Sequence, residues 1–217
     1  MITISQLVEE AVLKSPFLEE GIARGLVNYS ALARQLKPGF EARLYKDIEV
    51  GSIIMALKRF SKRLASKKDL RLSEVLKNLT DFSVRSNIVS YTFANSASIG
   101  VSQQKVMLAA KSIPNSFLTI TDGIFETAFF ASANIENILN NELRTESLKN
   151  KQSGLSSLTI IIPKEALEIP GVYYSILKSL AFEGINFMEV VSSYTELTIF
   201  LKSEDTEKAF AVLKKLS

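Results

Sequence analysis

The sequence predicts an α+β protein, in which a helical N-terminal domain precedes two β-α-β-β-α units. Three observations support this prediction. Residues 155–217 show strand, helix, strand, strand and helix patterns in that order, residues 82–149 show the same order, and the residues before them show mainly helical patterns. We expect domain boundaries at residues 1–80, 81–150 and 151–217.

The composition excludes several kinds of chemistry. The chain contains no Cys and no His, so it has no disulfide, no thiolate nucleophile, no imidazole base and none of the usual zinc sites. No apolar run approaches the roughly 20 residues of a membrane span. Residues 1–13 also lack the pattern of a signal peptide. We therefore expect a cytoplasmic protein with no membrane partner.

Helical patterns fill the N-terminal domain. Thr3 and Gln6 have the spacing of a capping box at the start of the first helix. Ser15-Pro16 ends that helix and begins a second. We expect Lys37-Pro38-Gly39 to break the third helix, because proline lacks a backbone donor and clashes with the preceding turn. The longest helix covers about residues 49–66.

The helix predicted at residues 49–66 carries one apolar face and one basic face. The basic face consists of Lys58, Arg59, Lys62 and Arg63. Segment 37–71 holds ten Lys or Arg and four Asp or Glu, a charge of +6 in a chain whose net charge is +3. Cationic side chains neutralise DNA phosphates, and an α-helix fits into the major groove. The alternative is a solvated face of an ordinary amphipathic helix.

The three helical segments also resemble a helix-turn-helix or winged-helix domain. Residues 25–38 are similar to the entry and second helix of such domains, which would make residues 51–64 the recognition helix. The resemblance implies DNA as a partner of the basic face.

The middle third predicts one β-α-β-β-α unit. A strand covers residues 82–93, a helix covers residues 101–113, and two strands flank Asp122-Gly123. Asp-Gly between apolar strands is a strong signal for a tight hairpin turn. A helix then covers residues 134–149, and we interpret residues 149–154 as a polar link.

The last third predicts the same order with clearer boundaries. Residues 157–162 are apolar and β-branched, which is typical of a buried strand. Pro170-Gly171 begins a helix that ends near Gly184. Two strands follow at residues 186–191 and 196–202, and the chain closes with a helix. This order matches the split β-α-β arrangement of ferredoxin-like folds.

Three segments of the last third resemble an ACT domain, most of all the regulatory ACT domains of aspartate kinases. They are Ile169-Pro170-Gly171-Val172, then Leu180 to Asn186 (LAFEGIN), and Glu204 to Ala209 (EDTEKA). The resemblance implies a small effector, usually an amino acid, bound where the first helix begins and often across a homodimer of ACT sheets. The positions that it implies are Ile169, Pro170, Gly171, Val172, Asn186 and Met188. Free N–H groups at a helix start suit a carboxylate.

The middle third is interpreted as a second, more divergent ACT-like unit. Asn95, Ser96 and Ser98 stand where the last third has Pro-Gly, so we assign no effector site there. Residues 157–162 are able to close the middle unit as its fourth strand or to open the last one. The last unit lacks a fourth strand of its own after its final helix, so we expect a strand from elsewhere in the chain or from a second subunit to cover its edge.

The predicted function is that of a non-catalytic regulatory protein that binds an amino acid or similar effector through tandem ACT domains. The sequence has no P-loop, no G-x-G-x-x-G segment and no glycine-rich, lysine-bearing start of a kinase domain. Glu126, Glu189 and Glu196 are scattered singly, so we predict no catalytic residue, no metal site and no cofactor. The alternatives are an effector-responsive DNA-binding regulator and a structural or dimerisation partner of an enzyme of amino-acid biosynthesis.

Overall fold

The computed structural model describes residues 2–66 and 70–216. The chain forms two compact units, Met1–Leu70 and Arg71–Ser217. The first unit contains the helices α1 (Ile4–Leu13), α2 (Pro16–Ala23), α3 (Tyr29–Leu44) and α4 (Val50–Ser66). The predicted capping box is present, since the Gln6 N–H donates to Thr3 Oγ1 at 3.2 Å and the Thr3 N–H donates to Gln6 Oε1 at 2.8 Å.

The predicted break at Lys37-Pro38-Gly39 is wrong, because α3 continues through Pro38 to Leu44. Proline removes one backbone hydrogen bond from the helix. However, Ala33 before it and Phe40 after it are both buried in the core of the first unit, and packing of both segments on the same core keeps the helix continuous. The helix ends where Tyr45 takes a left-handed conformation (φ 52°).

Helix α4 has the two faces that its sequence predicts. Its core-facing residues Ile53, Ala56, Leu57 and Phe60 are buried. The four basic residues of the opposite face are exposed. Amphipathic packing of this kind, more than helix propensity, stabilises a helix in a small domain.

The second unit contains five helices and six strands among the described residues. In chain order these are α5 (Leu70–Lys77), β1 (Thr80–Ala94), α6 (Ile99–Lys111), β2 (Leu118–Asp122), β3 (Glu126–Ser132), α7 (Glu136–Glu142), β4 (Leu148–Ile161), α8 (Val172–Phe182), β5 (Phe187–Ser192), β6 (Glu196–Lys202) and α9 (Thr206–Lys214). We call β1 to α7 the first repeat and β4 to α9 the second repeat.

The two repeats form one antiparallel sheet in the order β2-β3-β1-β4-β6-β5. The second half of β1, residues 88–94, pairs with β3, and the second half of β4, residues 155–161, pairs with β6. The two long strands also pair with each other from Thr80↔Ile161 to Phe93↔Leu148. Each repeat therefore uses the first half of the other repeat's long strand as its fourth strand. Residues 157–161 therefore open the second repeat, and the fourth strand of the first repeat is the earlier half of β4, residues 148–154.

The predicted polar link at residues 149–154 is wrong, since these residues form the first half of β4. They pair with β1, and most of their side chains are exposed. A strand that buries few side chains shows no apolar alternation, so it lacks the pattern by which a strand is recognised in a sequence.

Both long strands have an irregularity at corresponding positions. Asn87 (φ 58°) and Gly154 (φ 70°) take left-handed conformations one residue before the paired positions Ile88 and Leu155. Asparagine and glycine are the residues that adopt this conformation at low cost. The correspondence shows that the two repeats are related by an approximate two-fold rotation at the centre of the sheet.

Each repeat packs its helices on the sheet through its own core. In the first repeat, Phe129 of β3 and Val106 of α6 are fully buried. In the second repeat, Ile199 of β6 and Ile176 of α8 are fully buried. Val75 and Leu79, on α5 and just after it, are buried in the core of the second repeat as well.

Candidate functional site

The sequence places the candidate site at the start of α8, which we call the second corner. Gly171 precedes the helix with φ 96°, and no side chain caps the helix end. The first helical bond of this turn runs from the Ser175 N–H to the Gly171 carbonyl at 2.9 Å. The N–H groups of the first turn have no intrahelical partner, so they are free to donate to an anionic group.

A hairpin turn lies beside this corner. The hydroxyl groups of Tyr173, at the start of α8, and Ser192, at the end of β5, are 2.9 Å apart. The Ile162 N–H donates to the Thr195 carbonyl at 2.7 Å. The second corner therefore combines backbone donors with two side-chain hydroxyls.

Apolar side chains of α5 cover part of the second corner. A Cβ atom added to Gly171 would lie 3.4 Å from Cδ2 of Leu72. Leu72 and Ile169 are partly buried against the same core. A molecule that contacts the backbone of Gly171 from this side must displace the side chain of Leu72.

The structure brings together only part of the predicted effector set. Ile169, Pro170, Gly171 and Val172 are adjacent at the second corner, although Val172 is buried. Asn186 is exposed beyond the opposite end of α8, and a helix of 11 residues spans about 16 Å.

Met188 is also separate from the second corner. It packs on the sheet face opposite the helices, in a cluster with Ile88, Phe130, Leu155 and Phe200. There it lines a cleft of about 370 Å³ together with Gly154, Lys202 and Glu204. Within one chain, Asn186 and Met188 therefore do not meet the Pro-Gly segment.

The corresponding corner of the first repeat, at the start of α6, contains a buried carboxylate. Glu146 is only 8% exposed. Its Oε2 accepts a hydrogen bond from the Ser96 hydroxyl at 2.6 Å, and its Oε1 accepts one from the Ser102 hydroxyl at 2.7 Å. The hydrogen bond from Ser96 in particular holds the pKa of Glu146 below its usual value, and the bonds from Ser102 and Ser98 act in the same direction.

Sequence reasoning missed Glu146 and Leu72. The serines at residues 96 and 98 stand out in the sequence, but their acidic partner follows about 50 residues later. No local pattern joins positions so far apart. Leu72 belongs to an amphipathic helix whose sequence does not say which core it covers.

The basic face of α4 is partly engaged inside the first unit. Arg63 forms an ion pair with Glu9 of α1 at 2.8 Å, and Arg59 donates to the Ser5 hydroxyl at 3.3 Å. Lys58 and Lys62 are exposed. The four side chains share one surface, as the sequence predicts, but two of them bind α1.

In the described ranges 2–66 and 70–216, acidic side chains form no group of three or more that is arranged to hold a metal ion. None of the helices there combines the length and apolar character that crossing a membrane requires.

The solved structures that are similar in fold to this chain include aspartate kinases. No protein-family model and no curated protein matches the sequence. The aspartate kinase of Clostridium acetobutylicum is similar in structure, with a TM-score of 0.54, 12% identity, and coverage of 64% of this chain and 34% of that one. The chain thus spans about a third of that kinase.

Two further structures are similar in fold. The ligand-free regulatory subunit of aspartate kinase from Thermus thermophilus matches with a TM-score of 0.51, 14% identity, and coverage of 64% of this chain and 97% of that subunit. Aspartokinase III of E. coli, in complex with aspartate and ADP, matches with a TM-score of 0.50 and 15% identity over 64% of this chain and 33% of that one. At these identities the likeness shows the fold alone. The chain therefore contains the ACT-type fold of aspartate kinase regulatory domains.

Proposed function

We propose that this protein is a non-catalytic regulatory protein, which binds an amino acid or a similar small carboxylate at the second corner. The observation that carries the proposal is the tandem ACT-type sheet, in which α8 begins at Gly171 with uncapped N–H groups. The regulatory fold of the matched structures supports the same role.

The effector's carboxylate would accept hydrogen bonds from the first N–H groups of α8. Gly171 removes the side chain that would block this approach. The hydroxyls of Tyr173 and Ser192 offer donors and acceptors for a second polar group of the effector. Binding also requires Leu72 to move, because its Cδ2 lies close to Gly171. Effector binding would therefore displace the side chain of Leu72 on α5.

A panel of amino acids tests the proposal through thermal unfolding of the intact chain. A ligand that binds the folded state alone raises its stability by about 2.7 kcal/mol at a concentration 100 times its Kd. We expect at least one amino acid to raise the melting temperature saturably, whereas its amide or decarboxylated analogue does not. No change with any member of the panel would contradict the proposal.

An effector-responsive DNA-binding regulator is the second candidate, supported by the exposed basic residues of α4. In this case Lys58 and Lys62 would contact phosphates directly. Retardation of duplex DNA in a gel should weaken in Lys58→Ala/Arg59→Ala/Lys62→Ala and with rising salt. The variant Lys111→Ala/Lys164→Ala/Lys202→Ala, which removes the same charge from the second unit, is the matched control. Equal retardation by both triple variants would exclude this candidate.

We also propose that the protein forms a homodimer through its sheets. The sheet ends in two edge strands, β2 and β5, whose outer backbone groups have no partner within the chain's sheet. The light-scattering mass of the purified protein tests this proposal: twice 24.0 kDa supports it, and the monomer mass contradicts it. A role as the structural partner of a biosynthetic enzyme would require co-purification with that enzyme.

A further inference from the structure

The residues that precede the two long strands occupy corresponding positions. Thr80 begins β1 and pairs with Ile161. Ser147 precedes β4, and its carbonyl accepts a hydrogen bond from the Ala94 N–H at 2.9 Å. Since Ala94 and Ile161 pair with Glu126 and Glu196 at the starts of β3 and β6, they correspond to each other. Thr80 and Ser147, which contact Ile161 and Ala94, therefore correspond too. The residues immediately before them, Leu79 and Glu146, correspond as well.

Their chemistry differs completely. Leu79 is 1% exposed and packs in the apolar core of the second repeat. Glu146 is similarly inaccessible, but it places a carboxylate beside the start of α6. Among the described residues its hydrogen-bond partners are the hydroxyls of Ser96 and Ser102, and not a lysine or arginine.

The surroundings of Glu146 form a built site for a carboxylate. The Ser96 hydroxyl donates to Glu146 and also accepts the N–H of Ile99 at 3.1 Å, so its orientation is fixed from both sides. Ser102 is itself buried on the core side of α6. A carboxylate removed from water needs hydrogen-bond donors for its oxygens. Here Ser96, before α6, and Ser102, within α6, supply them.

We propose that Glu146 is an internal ligand, which fills a carboxylate-binding site in the first repeat and closes that site to free carboxylates. The site is distinct from the second corner, and the proposal holds whether or not an effector binds there. The group that Glu146 places between the serines, CH₂–COO⁻ beyond Cβ, is an acetate ion less one hydrogen. Replacing Glu146 by alanine should therefore leave a site of acetate size, lined by Ser96 and Ser102.

Acetate rescue tests the proposal. The full chain is compared as wild type, Glu146→Ala and Glu165→Ala, in sodium acetate and in sodium chloride of equal ionic strength. Glu165 is the matched control, an exposed acid in the short 3-10 helix Lys164–Glu168 that precedes α8. We expect Glu146→Ala to melt below the wild type and to regain stability saturably in acetate alone, with butyrate too long to act. The wild type and Glu165→Ala should respond equally to both salts.

Two further results complete the test. Adding Ser96→Ala and Ser102→Ala to Glu146→Ala should abolish the acetate response, and a response that persists would place acetate elsewhere and overturn the proposal. An alanine variant that melts equally in acetate and chloride would also overturn it. If Glu146→Ala does not fold on purification, refolding yields in the two salts replace melting temperatures: a higher yield in acetate supports the proposal, and equal yields refute it.

Discussion

The rings of Phe130 and Phe200 stack at the centre of the sheet, with centroids 4.1 Å apart and planes inclined by 25°. They belong to β3 and β6, which are separated by both long strands. Both rings are buried, on the face away from the helices, over Ile88 and Leu155. This contact joins the two repeats across their approximate two-fold axis.

Phe130→Ala and Phe200→Ala should each lower the free energy of unfolding by about 3–5 kcal/mol, the usual cost of emptying a buried aromatic site. The double variant should lose less than the sum, by about 1 kcal/mol, because the stacking is lost only once. Urea denaturation measures all three. Phe129→Ala with Phe200→Ala is the control pair, since Phe129 faces the opposite core; equal coupling in both pairs would contradict the stacking argument.

Gly154 and Asn87 should differ from other strand residues in the substitutions that they tolerate. Both have positive φ angles, where residues other than glycine, asparagine and aspartate are destabilised by about 1–2 kcal/mol. We expect Gly154→Asn to fold with little loss, Gly154→Val to lose more than about 1 kcal/mol, and Asn87→Gly to be neutral. Chemical denaturation compares them. A Val variant as stable as the Asn variant would show that strand backbone geometry does not determine the choice of residue.

The pH dependence of stability should contain a contribution from Glu146. Its pKa in the folded protein lies below the usual value of 4.5, chiefly because the Ser96 hydroxyl donates to it. The carboxylate's stabilising contribution is therefore fully present above that usual value and is lost as the pH falls through the folded pKa. We expect Glu146→Gln to lose about 1.5–3 kcal/mol at neutral pH, and the difference from the wild type to shrink as the solution is acidified. Parallel stability curves at all pH values would contradict this assignment.

Leu72 should control access to the second corner. Leu72→Ala removes a partly buried side chain, which costs about 1 kcal/mol of stability, and it opens space beside Gly171. An effector identified with the amino-acid panel should then bind the variant more tightly, because it no longer has to displace the side chain of Leu72. Leu76→Ala, on the same helix and also partly buried, should lose similar stability without gaining affinity. Calorimetric titration distinguishes them, and equal affinities would show that Leu72 does not cover the site.

The sequence predicts the order of elements well where local chemistry decides it. The apolar face of α4 and the helix end at Gly184 follow from spacings of a few residues, and the structure confirms them. The hairpin between β2 and β3 is also present, but Asp122 ends β2 and the turn is centred on Ile124-Phe125 instead of Asp122-Gly123. Residues 149–154 and the continuation of α3 through Pro38 do not follow, because tertiary pairing and packing override local preference there.

The candidate site, like the fold, follows from the sequence only where its residues are close together in the chain. Residues 169–172 are adjacent in sequence and meet at one corner, whereas Asn186 and Met188 lie elsewhere in the chain's fold. The sharing of β1 and β4 between repeats depends on pairs such as Thr80↔Ile161. The Glu146 site depends on a similarly distant contact with Ser96. Pairs so far apart leave no periodic pattern in a single sequence.

The most direct test of effector binding compares two glycines at opposite ends of α8. Gly171 (φ 96°) and Gly184 (φ 71°) both take conformations that strain an alanine, but Gly171 alone lies at the second corner. Calorimetric titration with the stabilising amino acid should show that Gly184→Ala binds like the wild type, whereas Gly171→Ala binds at least tenfold more weakly, a loss of about 1.4 kcal/mol. Equal binding by both variants would contradict an effector site at the start of α8.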